Sequence, residues 1–160
     1  MPIPLYGILI DIIADVRSSL ARNTDDPGTE GSVIINLLPE SLDARIQADL
    51  SFLPGVFKNV IKNAAEHVLE TSPNPVVTES CTADDATVTV DVHNGGDLVP
   101  PERLATFFDR FNSTKLEQGG TGLGTTYARI VTEAHGGSIS VSSSAEDGTQ
   151  VRISLPRVVS

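Results

Sequence analysis

The chain has 160 residues, enough for one domain with a buried core and too few for two. With 39% hydrophobic and 20% charged residues it has the balance of a globular protein, which argues against wholesale disorder and against a membrane span. A formal charge of -10 argues against a nucleic-acid partner, and Cys81, the single cysteine, permits neither an internal disulfide nor a cysteine-based metal site and favours a cytoplasmic setting.

The chain starts apolar, but Asp11 and Asp15 interrupt the run and no basic stretch precedes it, so it does not read as a targeting segment. Leu9, Ile12, Ile13, Val16 and Leu20 recur at helical spacing and predict an amphipathic helix that ends before Asn23-Thr24-Asp25-Asp26-Pro27-Gly28. Residues 1–28 are therefore expected to form a helix and linker at a domain junction, and residues 29–160 the domain itself. Val33 to Leu38 and Ala44 to Ala48 read as strands around a turn at Pro39-Glu40-Ser41. A second helix is expected from Pro54 to about Leu69, with Pro73 beyond its end.

Thr87 to Val92 alternates strictly, which puts Val88, Val90 and Val92 toward a core. A short helix near Pro101 covering Leu104 to Phe108, a polar loop from Asn112 to Gln118 and a helix from Thr125 to Ala134 follow, the last stopped by Gly136-Gly137. Strands Ser138 to Ser142 and Thr149 to Leu155, joined through Asp147-Gly148, make a final hairpin. Helices and strands mix without the regular repeat of a doubly wound sheet. The predicted fold is a two-layer α/β sandwich, a mixed, mostly antiparallel sheet with helices on one face.

Three groups of residues have chemical potential. The helix segment KNVIKNAAEHV places Asn59 and Asn63 four residues apart, with Glu66 near the same stripe, either as a solvated face or as a polar site. Asparagine is a poor helix former, so two in mid-helix need a reason. A carboxamide oxygen is a hard, neutral ligand suited to a Mg²⁺ ion already partly neutralised by nucleotide phosphates. The strand end Asn94-Gly95-Gly96 reads by itself first as a plain turn and otherwise as a place where backbone approaches a ligand. Gly119-Gly120-Thr121-Gly122-Leu123-Gly124 leads straight into a helix, where free amides bind phosphate oxygens; it is neither a Walker loop nor a dinucleotide-binding loop. His67, His93 and His135 read as a helix-face, a strand-end and a helix-cap residue.

Together these segments resemble, in order and spacing, the ATP-binding GHKL superfamily with the Bergerat fold, which includes histidine kinases, DNA gyrase, heat-shock chaperones and mismatch-repair proteins. The likeness covers roughly Ser32 to Pro156 and is greatest to the ATP-binding catalytic domain of sensor histidine kinases. It implies Asn63 as the magnesium ligand, with Asn59, Lys62 and Glu66 along the same helix. Asn94 and Gly96 stand at the glycine-box positions next to adenine, with Val99 beside them. Phe107-Phe108-Asp109-Arg110-Phe111 resembles the phenylalanine motif that flanks the nucleotide lid, so Phe108 and the lid's Lys115 join the set. Gly120, Thr121, Gly122, Leu123 and Gly124 match the second glycine box, and Thr149 the Gly-Thr pair of the last hairpin.

The resemblance implies a kinase domain with ATP and Mg²⁺ as cofactors. Its catalytic residues are Asn59, Asn63 and Lys115, and it presents the γ-phosphate to a histidine on a separate dimerisation and phosphoacceptor domain, with a response regulator downstream. No nucleic acid and no direct membrane contact are expected. ATP-hydrolysing members carry glutamate where Asn59 stands; an amide accepts no proton at neutral pH, which points to transfer. None of the three histidines has the neighbours of an acceptor histidine. A nucleotide-binding sensor or scaffold without transfer, and a stand-alone anti-sigma-type serine kinase, are the alternatives. Asn94 replaces the usual aspartate. Its amide can accept from adenine or flip and donate to guanine, so weaker ATP-over-GTP discrimination is expected.

Overall fold

A computed structural model describes residues 2–22, 34–38, 45–47, 49–71, 76–95, 124–144 and 146–158. Their elements are β1 (Pro2–Pro4), α1 (Leu5–Arg22), β2 (Ile34–Leu38), β3 (Arg45–Gln47), α2 (Leu53–Thr71), β4 (Val76–Ala83), β5 (Thr87–Asn94), α3 (Gly124–Ala134), β6 (Ser138–Ser144) and β7 (Gly148–Pro156). The short helix expected near Pro101 and the loop from Asn112 to Gln118 lie outside the described residues.

Alternation in the strands builds one wall of the core. Val88, Val90 and Val92 of β5, Val151, Ile153 and Leu155 of β7, and Val77 and Cys81 of β4 are buried on one face of the sheet. That face is covered by helices. On α1, Leu5, Leu9, Ile12, Ile13 and Val16 are buried, three to four residues apart; on α2, Leu53, Val56, Phe57, Val60, Ile61, Ala64, Ala65 and Val68 repeat the same stripe. Ala128 and Val131 of α3 complete a single apolar cluster. The expected two-layer sandwich is what forms.

The main sheet has the order β2-β4-β5-β7-β6. All its neighbours are antiparallel except β2 and β4, whose parallel pairing is reached through the α2 crossover. A second, two-stranded sheet joins β1 to β3. Neither β1 nor β4 is expected from the sequence. In β4 the inner positions are Val77, Glu79 and Cys81, and the fully buried Glu79 interrupts the apolar alternation that identifies a strand.

Local chemistry sets the turns. Asp84 Oδ1 accepts the amides of Ala86 at 2.9 Å and Thr87 at 2.7 Å, closing the β4–β5 hairpin. These two backbone bonds, aided by Arg157, hold the Asp84 carboxyl below the usual carboxylate range. With the folded-state pKa below the unfolded one, the turn's contribution is full above the ordinary carboxylate range and is lost as pH falls through the folded value. Asp84→Ala is therefore expected to lower the thermal midpoint at neutral pH, by an amount that shrinks steadily in acid. A difference from the parent that is independent of pH would remove the carboxylate from the account.

Helix α3 ends as the glycine pair predicts. Gly136 has φ of 78°, its amide bonds to Glu133 O at 3.0 Å, and the Gly137 amide bonds to Thr132 O at 3.0 Å. His135 is indeed a cap: Nδ1 donates to the Val131 carbonyl at 2.8 Å while Nε2 accepts the Asp49 amide at 3.1 Å. The tautomer follows from the partners, since a backbone amide can only donate. His135 thus ties the end of α3 to the segment that opens α2, where Asp49 O accepts from Phe52 and Leu53. Tyr127 adds a second tie through its hydroxyl to Phe52 O at 2.8 Å.

Candidate nucleotide site

The two asparagines lie on α2 with the expected spacing. Asn59, Lys62, Asn63 and Glu66 are all half-buried, flanking the stripe that packs inward. Helical rise places them along about two turns of one side of the helix, whose other side rests on β4 and β5. Asn63 and Glu66 both make side-chain or backbone interactions within the fold. Their half-exposed position leaves polar atoms at the helix surface next to the sheet.

Asn94 ends β5 on the inner face, in line with Val88, Val90 and Val92, and is only 4% exposed. Its partner across the ladder is Thr149 of β7, itself buried. Thr149 and Ser143 of β6 share a hydroxyl hydrogen bond of 2.8 Å. Three strands thus set their polar ends side by side at one edge of an inner face that is mostly apolar, Glu79 of β4 apart. Gly148 makes that arrangement possible. A Cβ there would lie 2.3 Å from Asn94 O, and the residue holds φ of 78°.

Helix α3 starts at Gly124, the last residue of the glycine cluster, so that motif does lead into the N-terminal end of a helix. The remaining expected residues, Gly96, Val99, Phe108, Lys115, Gly120, Thr121, Gly122 and Leu123, lie outside the described residues. Among the described residues, the fold brings Asn94 and Thr149 together and gathers Asn59, Lys62, Asn63 and Glu66 on the helix that packs over β4 and β5. Sequence reading did not find the Ser143–Thr149 pair or Gly95 as a hydrogen-bond partner of Asn94. Only the cross-strand register reveals the first, and no local signal marks the second.

No group of three His, Cys, Asp or Glu side chains that would hold an ion by itself occurs among the described residues. An open concavity of about 940 Å³ lies elsewhere, between the segment that precedes α2 and the second half of α3, lined by Leu50, Phe52, Ile130 and His135 among others. None of the candidate nucleotide residues lines it.

Comparison with known proteins agrees with this architecture. The mycobacterial sensor histidine kinase MprB superposes with a TM-score of 0.77 at 21% identity, covering 98% of each chain. A nucleotide-free catalytic domain of the histidine kinase ThkA gives 0.79 at 24% identity, covering 98% of this chain and 95% of that one. The fold is thus that of histidine kinase catalytic domains. Residues 48–159 match the profile of the family described as histidine kinase-, DNA gyrase B- and HSP90-like ATPases, and the chain belongs to that family. The sensor protein VanS of Enterococcus faecium is 30% identical over 158 residues, covering 96% of this chain and 38% of VanS. The sensor protein SrrB of Staphylococcus aureus is 32% identical over 114 residues, covering 68% of this chain and 19% of SrrB. The chain thus spans well under half the length of these relatives.

Proposed function

We propose that this chain binds ATP with Mg²⁺ between α2 and the inner end of the sheet, and presents the γ-phosphate to a histidine on a separate dimerisation and phosphoacceptor domain. The observation that carries the reading is the pair Asn59 and Asn63, one helical turn apart on α2 beside a sheet whose inner edge ends in Asn94 and Thr149. Asn63 fits a Mg²⁺ ion, because its neutral oxygen adds a ligand without overloading a site whose charge comes from the phosphates. When bound, the ion neutralises phosphate charge during transfer.

The chain's own residues supply position and electrostatics. Asn59 orients but accepts no proton, which favours transfer to a protein acceptor over hydrolysis. Lys62 and Lys115 supply positive charge toward the phosphates, and the amides of the glycine cluster through Gly124 bind phosphate oxygens at the start of α3. Residues 29–160 act as the ATP-binding domain, and residues 1–28 form the junction with the acceptor domain, downstream of which a response regulator takes the phosphoryl group. The site works in the cytoplasm; no described helix is long and apolar enough to cross a membrane.

The test is calorimetry with ATP in the presence and absence of Mg²⁺, followed by transfer of γ-labelled phosphate to an added dimerisation domain from a sensor kinase. Metal-dependent binding and acid-labile labelling of the acceptor histidine are expected. Binding without labelling of any acceptor domain would favour a nucleotide sensor or scaffold instead.

A further inference from the structure

Gly55 is the third residue of α2, although glycine is among the weakest helix formers. What takes the place of its missing side chain comes from another helix. A Cβ at Gly55 would lie 3.0 Å from both Cε1 and the hydroxyl oxygen of Tyr127 in α3, and 3.3 Å from Cζ. The edge of the ring thus rests on the bare backbone of α2. From there the hydroxyl donates to the Phe52 carbonyl at 2.8 Å, an oxygen that also accepts the Gly55 amide at 3.2 Å. A side chain at Gly55 would push the ring away from that carbonyl.

This contact falls between the two halves of the proposed nucleotide site. Gly55 is one helical turn before Asn59 and on the same side of α2 as Asn59, Lys62, Asn63 and Glu66, because residues three or four apart share a face. Tyr127 is three residues beyond Gly124, at the end of the first turn of α3. One tyrosine therefore joins the helix that carries the carboxamides to the start of the helix whose amides face phosphate. The His135 tie to Asp49 holds the far end of α3, about two turns away. Only the tie through Tyr127 lies beside the site.

We propose that Tyr127 is a positioning residue for nucleotide binding: its hydroxyl, seated over Gly55, sets the separation between the start of α3 and the asparagine stripe of α2, and so the space open to the phosphates. The inference rests on the nucleotide-binding reading above and adds to it a pair of residues that act through the two helices. Phosphate grip is the property that depends on them. Amides at a helix start hold an oxygen only within hydrogen-bond distance, so a small shift of α3 weakens all of them together. The base end of the site, at Asn94 and Thr149, belongs to the sheet and does not depend on the tie.

Calorimetric titration of the whole chain with ATP and Mg²⁺, and separately with adenosine, which has the base and sugar but no phosphate, tests this. Tyr127→Phe keeps the ring and loses the hydroxyl, and is expected to bind ATP about fivefold more weakly than the parent. Gly55→Ala displaces the ring and is expected to lose about tenfold for ATP, while its thermal midpoint stays within a few degrees of the parent because alanine is the better helix former. Adenosine affinity is expected to stay within about twofold of the parent in both, a distinction that general loosening of the fold would not produce. Beside Tyr127→Leu, Gly55→Ala is expected to have no further effect, since the ring edge that it meets is gone. A Tyr127→Phe variant that binds ATP within about twofold of the parent overturns the inference and leaves the ATP reading standing. Equal losses for ATP and adenosine do the same, as does a Gly55→Ala loss undiminished beside Tyr127→Leu. A parent that binds no ATP overturns both. Tyr127→Phe is the mildest change, and with circular dichroism to confirm its fold it decides the matter even if Gly55→Ala does not fold.

Discussion

Asn63→Ala is expected to lower Mg²⁺-dependent ATP affinity by about 100-fold and to reduce phosphate transfer below detection, while the thermal midpoint moves by only a few degrees. The two effects separate because of where the residue sits. Asn63 is half-buried beside the inward stripe, and its neighbours Ala64 and Ala65, not Asn63, belong to the apolar cluster. Alanine also favours helix over asparagine by roughly 0.5 kcal/mol, which offsets part of the interaction that Asn63 makes within the fold. The proposed ligand oxygen has no such substitute. ATP titrations with and without Mg²⁺ provide the measurement. If the variant retains the parent's metal-dependent affinity, Asn63 is a surface helix residue and the metal assignment fails.

Gly148→Ala is the second large effect, on stability as well as binding. The residue combines φ of 78° with a Cβ position 2.3 Å from Asn94 O, a backbone atom in the central strand β5. A side chain there meets both the left-handed penalty and a contact that only strand separation relieves, together about 3 kcal/mol or more. For a chain of this size that is a fall of roughly 6–12 °C in the thermal midpoint. The displaced atoms belong to Asn94 and Gly95, so ATP affinity is expected to fall along with stability. Gly136→Ala is the internal control. It shares φ of 78°, but its Cβ would meet only Pro156 Cγ at 3.4 Å, an ordinary contact. That substitution is expected to cost about 1 kcal/mol and to leave nucleotide binding alone. Equal losses from the two variants would mean that strain at φ, and not packing against β5, determines the cost.

Much of this molecule is readable from residue order because its regular elements follow local rules. The stripe of Leu9, Ile12, Ile13 and Val16 predicts α1, and the strict alternation from Thr87 to Val92 predicts β5 and the face it buries. Gly136-Gly137 predicts the stop of α3 because a left-handed residue after a helix favours glycine. The same directness applies to the site: Asn59 and Asn63 share a helix side because four residues are about one turn.

Elements without a local signal lack it for specific reasons. In β4 Glu79 occupies an inner position between Val77 and Cys81, so the strand lacks the apolar period that reveals its neighbours. β1 is three residues long, too short to carry a period of its own, and it pairs across more than 40 residues with β3, which lies within the strand that Ala44 to Ala48 predicts. His135 was legible as a cap on its own helix, yet its second bond, to the Asp49 amide, joins residues 86 apart in sequence.

By itself the sequence determined the helices, the strands that alternate cleanly, the glycine stops and the carboxamide pair on α2, since each depends on contacts within a few residues. Only the tertiary structure decided the strand order β2-β4-β5-β7-β6, and with it that Asn94 stands opposite Thr149 and against Gly148. It also decided that the nitrogen of the Asn94 amide faces the Gly95 carbonyl. A carboxamide's two ends are nearly equal in shape, and here the carbonyl of the neighbouring peptide, which takes a hydrogen bond from Nδ2, tells them apart.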